Sequence, residues 1–132
     1  MVDESKIKYR LERAQECLTS AEADIKLGHL YSAANRSYYA VYCSIRAVNA
    51  LKNFTSMKHS GNIAEFRRCY TKTRIFDARF SKIIDELQEL RENCDYEDYF
   101  IIELPKVTLQ LENAKCFYQE IKKYIETYDI FN

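Results

Sequence analysis

Asn35-Arg36-Ser37-Tyr38-Tyr39-Ala40-Val41-Tyr42-Cys43-Ser44-Ile45-Arg46-Ala47 reads as helix, yet it has too few polar residues to leave one face in water. At about 100° per residue, Ala34, Tyr38, Val41, Ile45 and Val48 form one stripe, while Ala40, Cys43, Ala47 and Ala50 form a second stripe opposite, with Arg36 in it. A helix that is apolar on two opposite faces must be covered on both. It is therefore either the central helix of a bundle or a helix shared with a second copy. Arg36 and Cys43 lie seven positions apart, so they point the same way within about 20° and sit roughly 10 Å apart along the axis. A cation in such a stripe needs a partner, because an unpaired buried charge is costly. An acid from another helix, a phosphate, or polar groups of a twofold-related copy would each serve.

The neighbouring segments read as helices too. Ile7, Leu11, Ala14, Leu18, Ala21 and Ile25 recur at intervals of three and four, predicting an amphipathic helix from Asp3 to Leu27 with Gly28 as its stop. The two-faced helix runs from Leu30 to Lys52, and the short Gly28-His29 joint makes the pair an antiparallel hairpin. After a loop from Asn53 to His59, a short helix carries Ile63, Phe66 and Tyr70. Another runs from Asp77 to Asn93, with Phe80, Ile83, Ile84, Leu87 and Leu90 inward. Asp95 to Phe100 reads as a loop, and Pro105 opens a last helix whose seam is Leu104, Val107, Leu111, Ala114, Tyr118, Ile121, Ile125 and Tyr128. With two glycines and one proline in 132 residues, the expected fold class is an all-α, antiparallel up-and-down bundle of four to five helices.

Formal net charge is zero, which argues against a wholly basic, non-specific polyanion binder. The charge is nonetheless uneven. Arg67, Arg68, Lys72, Arg74, Arg79 and Lys82 face only Asp77, whereas Asp85, Glu86, Glu89, Glu92, Asp95, Glu97, Asp98 and Glu103 face only Arg91. The five cysteines Cys17, Cys43, Cys69, Cys94 and Cys116 are odd in number and widely spaced, with no metal or disulfide pattern, so no cofactor is expected. Thiols at core-stripe positions and the lack of an opening signal segment predict a reducing, cytoplasmic setting. No apolar run is long enough to cross a bilayer.

The run Asn-Arg-Ser-Tyr-Tyr-Ala-Val-Tyr at Asn35–Tyr42, followed by Ser44-Ile45-Arg46-Ala47, resembles the signature helix of the HEPN family, particularly its small stand-alone prokaryotic branch. Lys58-His59-Ser60-Gly61 with Phe66 beyond it, Leu87-x-x-Leu90-Arg91 before Asp95-Tyr96, and Ala114-x-x-Phe117-x-x-x-Ile121-x-x-Tyr124 match that branch in the same order. The resemblance spans nearly the whole chain and implies one HEPN-like helical domain over residues 1–132. It also implies a homodimer with signature helices near the twofold axis, a toxin–antitoxin or defence setting, and often a small nucleotidyltransferase as the antitoxin partner.

In ribonucleases of the family, as the resemblance implies, an arginine stabilises charge on the phosphate. A histidine a few residues later moves the proton for attack by the ribose 2′-hydroxyl, without a metal. This chain keeps the arginine as Arg36, but Cys43 stands where the histidine belongs. A thiol with an ordinary pKa of about 8.5, raised further by burial, does not shuttle protons at neutral pH as imidazole does. The expected activity is therefore RNA or nucleotide binding at a cleft around Arg36, with ribonuclease chemistry weak or absent. Ser37, Tyr39, Tyr42, Arg46 and His59 are the further candidate binding residues, the tyrosines by stacking on bases. The alternative is a non-enzymatic adaptor for a nucleotidyltransferase or another protein.

Overall fold

The computed structural model describes residues 2–128, and these fold as helices joined by short connections. Helix α1 spans Glu4–Lys26, α2 Leu30–Asn49, α3 His59–Phe66, α4 Arg79–Tyr96 and α5 Leu104–Glu126. A 3₁₀ turn, Ala50–Lys52, tightens the end of α2, and a π-helical turn, Arg67–Thr71, extends α3. No strand occurs among the described residues. The architecture is the all-α bundle that the periodicities predict.

Local chemistry fixes the ends of these helices. Asp3 caps α1 by accepting the Lys6 backbone N–H at 3.0 Å. Gly28 ends it in the left-handed region, φ 77°, while the His29 N–H donates to Asp24 O at 2.8 Å. Only a residue without a Cβ adopts that conformation readily, so the hairpin joint depends on Gly28. Asn53, φ 56°, ends the turn after α2 in the same way. Asp77, read from sequence as the first residue of α4, instead precedes it and accepts the Arg79 N–H at 2.8 Å. Asp95 and Tyr96, read as loop, are the last residues of α4, where an ion pair from Arg91 Nε to Asp95 at 3.5 Å supports one more turn. Two members of the predicted α5 seam do not face the core: Leu104 is half exposed, and Tyr128 lies beyond the helix.

Helix α2 is the centre of the bundle and touches α1, α3, α4 and α5. Its first stripe, Tyr38, Val41, Ile45 and Val48, is buried in the main core with Phe66, Leu87, Leu111 and Phe117. The second stripe is covered by another helix of the same chain. Ala40 and Ala47 have no exposed surface and Ala50 has 4%, all within one chain. Helix α1 supplies the cover: Arg10 Nη1 donates to Arg46 O at 3.0 Å, and the thiols of Cys17 and Cys43 meet. Small side chains let the two helices approach closely, so α2 needs no second copy to bury this face. The π turn has a packing role. It lets the Lys72 N–H reach back to Arg67 O at 2.9 Å and leaves Tyr70 buried against Phe66 and Phe76, its hydroxyl donating to Val48 O at 3.2 Å.

Candidate functional site

With the first stripe and the alanines of the second covered, one strip of α2 remains partly open to solvent: Asn35, Arg36, Tyr39, Cys43 and Arg46, of which Arg36 and Cys43 edge the second stripe. An aromatic cluster is built beside it. Tyr38 and Tyr42, one turn apart, stack nearly parallel with ring centroids at 6.2 Å, and Tyr39 meets each of them edge-on. The first residue of α3, His59, completes the cluster, with its ring stacked 3.9 Å from Tyr42 and its Nδ1 3.0 Å from the Tyr38 hydroxyl.

The loop that leads into His59 is held by Asn62, which is 1% exposed. Its side-chain Nδ2 lies 2.8 Å from Tyr42 Oη, 3.1 Å from Ser56 O and 3.2 Å from Lys58 O, so one amide ties the 53–58 loop to the cluster. Asn49 reinforces the joint by donating to Asn62 O at 2.9 Å. Burial pushes the Tyr38 phenol up to about 12, so it is protonated at neutral pH and can donate to His59 Nδ1. Burial, then the charges of Arg91 and Arg46, hold His59 below its ordinary value, so the imidazole is neutral at pH 7.

Guanidinium groups rim these rings. Arg91 of α4 lies 5.0 Å from the Tyr38 centroid and 5.5 Å from that of Tyr39, and Arg36 lies 5.4 Å from Tyr39. Contacts of this kind contribute roughly 0.5–2 kcal/mol each and fix the planes of the cations. Arg36 Nη2 donates to the neighbouring Asn35 Oδ1 at 2.7 Å, a neutral partner that leaves its charge uncompensated there. Arg46 Nε is buried without a hydrogen-bond partner. Arg10, 7% exposed, lies beneath with its pKa lowered by burial and by Arg46. Tyr38 and Tyr42 are themselves buried, 2% and 7% exposed, so the rings this cationic face offers to a base are the partly exposed Tyr39 and His59, with guanidinium groups beside them for a phosphate.

Not every residue singled out from sequence reaches this face. Tyr39, Tyr42, His59 and Arg36 come together, and Arg46 adjoins them. Ser37 has no exposed surface, and its hydroxyl donates to Ala33 O at 2.8 Å, so it presents nothing to a ligand. The Cys43 thiol adjoins Cys17 of α1, and that neighbour together with burial pushes its pKa up. A half-buried thiol that titrates high is a poor acid or base for a ligand on the open strip.

Arg91, Asn62 and Arg10 belong to the site but were missed as site residues. The signal for Arg91 was its position as the one cation among eight acids; for Asn62 and Arg10 nothing in the pattern distinguished them from surface polar residues. No three His, Cys, Asp or Glu side chains are grouped to hold a metal among the described residues, nor is any helix there long and apolar enough to cross a membrane.

Comparison with known proteins bears on this geometry. The family model described as HEPN domain matches residues 7–129. A "UPF0332 protein" of Thermotoga maritima is 34% identical over 120 residues, covering 91% of each chain. Two proteins of Methanocaldococcus jannaschii are also similar. "Putative toxin MJ0142" is 25% identical over 87% of this chain and 78% of its own, and "Putative toxin MJ0605" is 28% identical over 91% and 89%.

Proposed function

This chain belongs to the HEPN domain family, and on that premise we propose that it is a toxin- or defence-type member that binds RNA, as a homodimer, through the open strip of α2. The observation that carries the reading is the juxtaposition of Arg36, Arg91 and the neutral imidazole of His59 around the rings of Tyr38, Tyr39 and Tyr42. A base stacks on the partly exposed rings of Tyr39 and His59, which the buried Tyr38 and Tyr42 hold from beneath, while the guanidinium groups take the phosphates. Arg36, Tyr39 and Arg46 are the polar residues that a second copy meets when two open strips face each other. The names of the two Methanocaldococcus relatives support the toxin setting. A nucleotidyltransferase is the antitoxin partner that the family reading suggests, and the cytoplasm its site of action.

Catalysis is the weak part of the family's chemistry here. Cys43 lies beside Cys17, half-buried, and titrates high, so a thiol replaces the imidazole that would relay the proton. The protein retains RNA more than it cuts it.

The test is a fluorescence-anisotropy titration of a labelled single-stranded RNA, run over a salt series, with a parallel cleavage assay in EDTA. Arg36→Ala should lower affinity about tenfold, the loss of one charge-assisted contact, and reduce the salt slope by about one. Cleavage by the wild type should be slow, and Cys43→His should increase it. Unchanged RNA affinity in Arg36→Ala and Arg91→Met together would overturn the reading, as would a monomer at all concentrations in sedimentation equilibrium for its dimeric part.

A further inference from the structure

Beyond the cationic face, the connection between α4 and α5 displays an apolar surface with the opposite charge. Tyr99 is 99% exposed and Ile101 79%, and Tyr96, Leu104 and Leu109 are exposed nearby. This connection is anchored: the Tyr31 hydroxyl donates to Phe100 O, the Phe100 N–H bonds to Glu97 O at 3.3 Å, and Ile102 is buried with Leu90 and Val107. Alternation along an extended segment thus turns Ile102 inward and Ile101 outward on a fixed backbone.

Two adjoining hollows, about 520 Å³ and 230 Å³, share Leu90 and Lys106 and form one groove between α4 and the start of α5. Leu90, Ile101 and Leu109 give it an apolar lining, while Glu86, Glu89 and Glu103 bring carboxylates and Lys106 the one cation among its lining residues. Glu86 is held there by buried Gln110, whose Nε2 donates to it at 3.1 Å, and its one ion pair, to the exposed Lys82 at 3.9 Å, is long enough for a docked cation to displace. Arg91, the one cation in this acidic run, is turned away to Tyr38 and Tyr39.

We propose that this groove docks a basic amphipathic segment of another protein, its apolar residues against the exposed Ile101 and Leu109 and its lysines or arginines against Glu86, Glu89 and Glu103. Charge complementarity selects the occupant. The negative rim repels RNA and anionic lipid alike, and an apolar groove flanked by carboxylates matches an apolar stripe flanked by cations. A second copy fits less well. The chain's own basic segment already uses Arg67 on Asp85 at 2.6 Å and Arg68 on Glu65 at 2.9 Å, and placing it in the groove would make a head-to-tail contact that does not close. The surface is separate from the RNA face, because α4 turns Arg91 one way and Glu86, Glu89 and Asn93 the other.

The test uses the full chain and a fluorescein-labelled peptide of leucine and lysine, with leucines at helical spacing i, i+3, i+4 and i+7. Anisotropy should show saturable binding that weakens with salt, and amide shifts in NMR should map to residues 86–110. Ile101→Ser with Leu109→Ser should weaken binding about tenfold with the thermal midpoint unchanged, because both side chains are exposed, and Glu86→Gln with Glu89→Gln, which keeps an amide oxygen for Gln110, should flatten the salt dependence. Three results would each overturn the proposal: equal binding by a scrambled peptide of the same composition, shifts confined to α1 and α2, or self-association of the wild type that Ile101→Ser abolishes.

Discussion

Replacing Asn62 by alanine tests how the site is held together. The side chain is 1% exposed, and its amide serves Tyr42 Oη, Ser56 O and Lys58 O at 2.8, 3.1 and 3.2 Å. Two amide hydrogens shared by three acceptors represent about two net hydrogen bonds, worth about 1 kcal/mol each, and an orphaned acceptor adds about 1–3 kcal/mol unless water reaches it. Lys58 O keeps a second donor, the Asn62 backbone N–H at 3.2 Å, and Ser56 is only half buried, so the desolvation penalty falls at the low end. The expected loss is about 2–3 kcal/mol. At roughly 2.1 cal/mol/K of unfolding entropy per residue, that lowers the melting temperature by about 7–11 °C.

Asn49→Ala is the internal comparison. It removes one bond, to Asn62 O at 2.9 Å, but also an Oδ1 that is buried without a partner, so the loss should stay below about 1.5 kcal/mol. Urea and thermal unfolding followed by circular dichroism measure both. A midpoint within about 2 °C of wild type for Asn62→Ala, or greater damage from Asn49→Ala, would refute the account of Asn62 as the clasp.

Other expectations are independent of that one. Gly28→Ala should cost about 1–2 kcal/mol through backbone strain alone, since no atom lies within 4 Å of an added Cβ, and Gly28→Asn should recover much of it in the same unfolding assay. His59 is lowered in the folded chain, so it binds its proton more weakly folded than unfolded. Its contribution to stability is complete above the unfolded value of about 6.5 and is lost as pH falls through the folded value. Wild type should therefore lose more stability on acidification through that window than His59→Gln. Arg91→Met removes a charge that lowers both His59 and Tyr38, so both should titrate higher in NMR and ultraviolet difference spectra; a downward shift of either would contradict the stacking geometry.

The helices and the family were legible because each rests on information local to the chain. Periods of three and four placed Ile7 to Ala21 and Val107 to Ile125 in the core, where they are found. The boundaries moved where side chains act at short range, as with Asp77 before α4 and the Arg91–Asp95 pair at its end. The site was legible in part. Arg36, Tyr39, Tyr42 and His59 were recognisable from a signature and its order, whereas Arg91 read as a lone base in an acidic run and Asn62 as one more polar residue. Their roles depend on partners 52 or 53 and 20 residues away, respectively, and no periodicity encodes such pairs.

The two-faced helix shows the division most clearly. Its sequence alone determined that both faces are covered, because a helix with apolar stripes on opposite sides cannot leave either in water. It could not say by what. The small residues Ala40, Cys43, Ala47 and Ala50 suit the approach of any helix, from this chain or another, and only the packed structure decided for α1. That choice sets the Cys43 thiol beside Cys17 and leaves the strip from Arg36 to Arg46 as the part of α2 open to a ligand. Helical periodicity is written in every few residues of a chain, while the identity of a helix's neighbour is set by how all the helices fill space together.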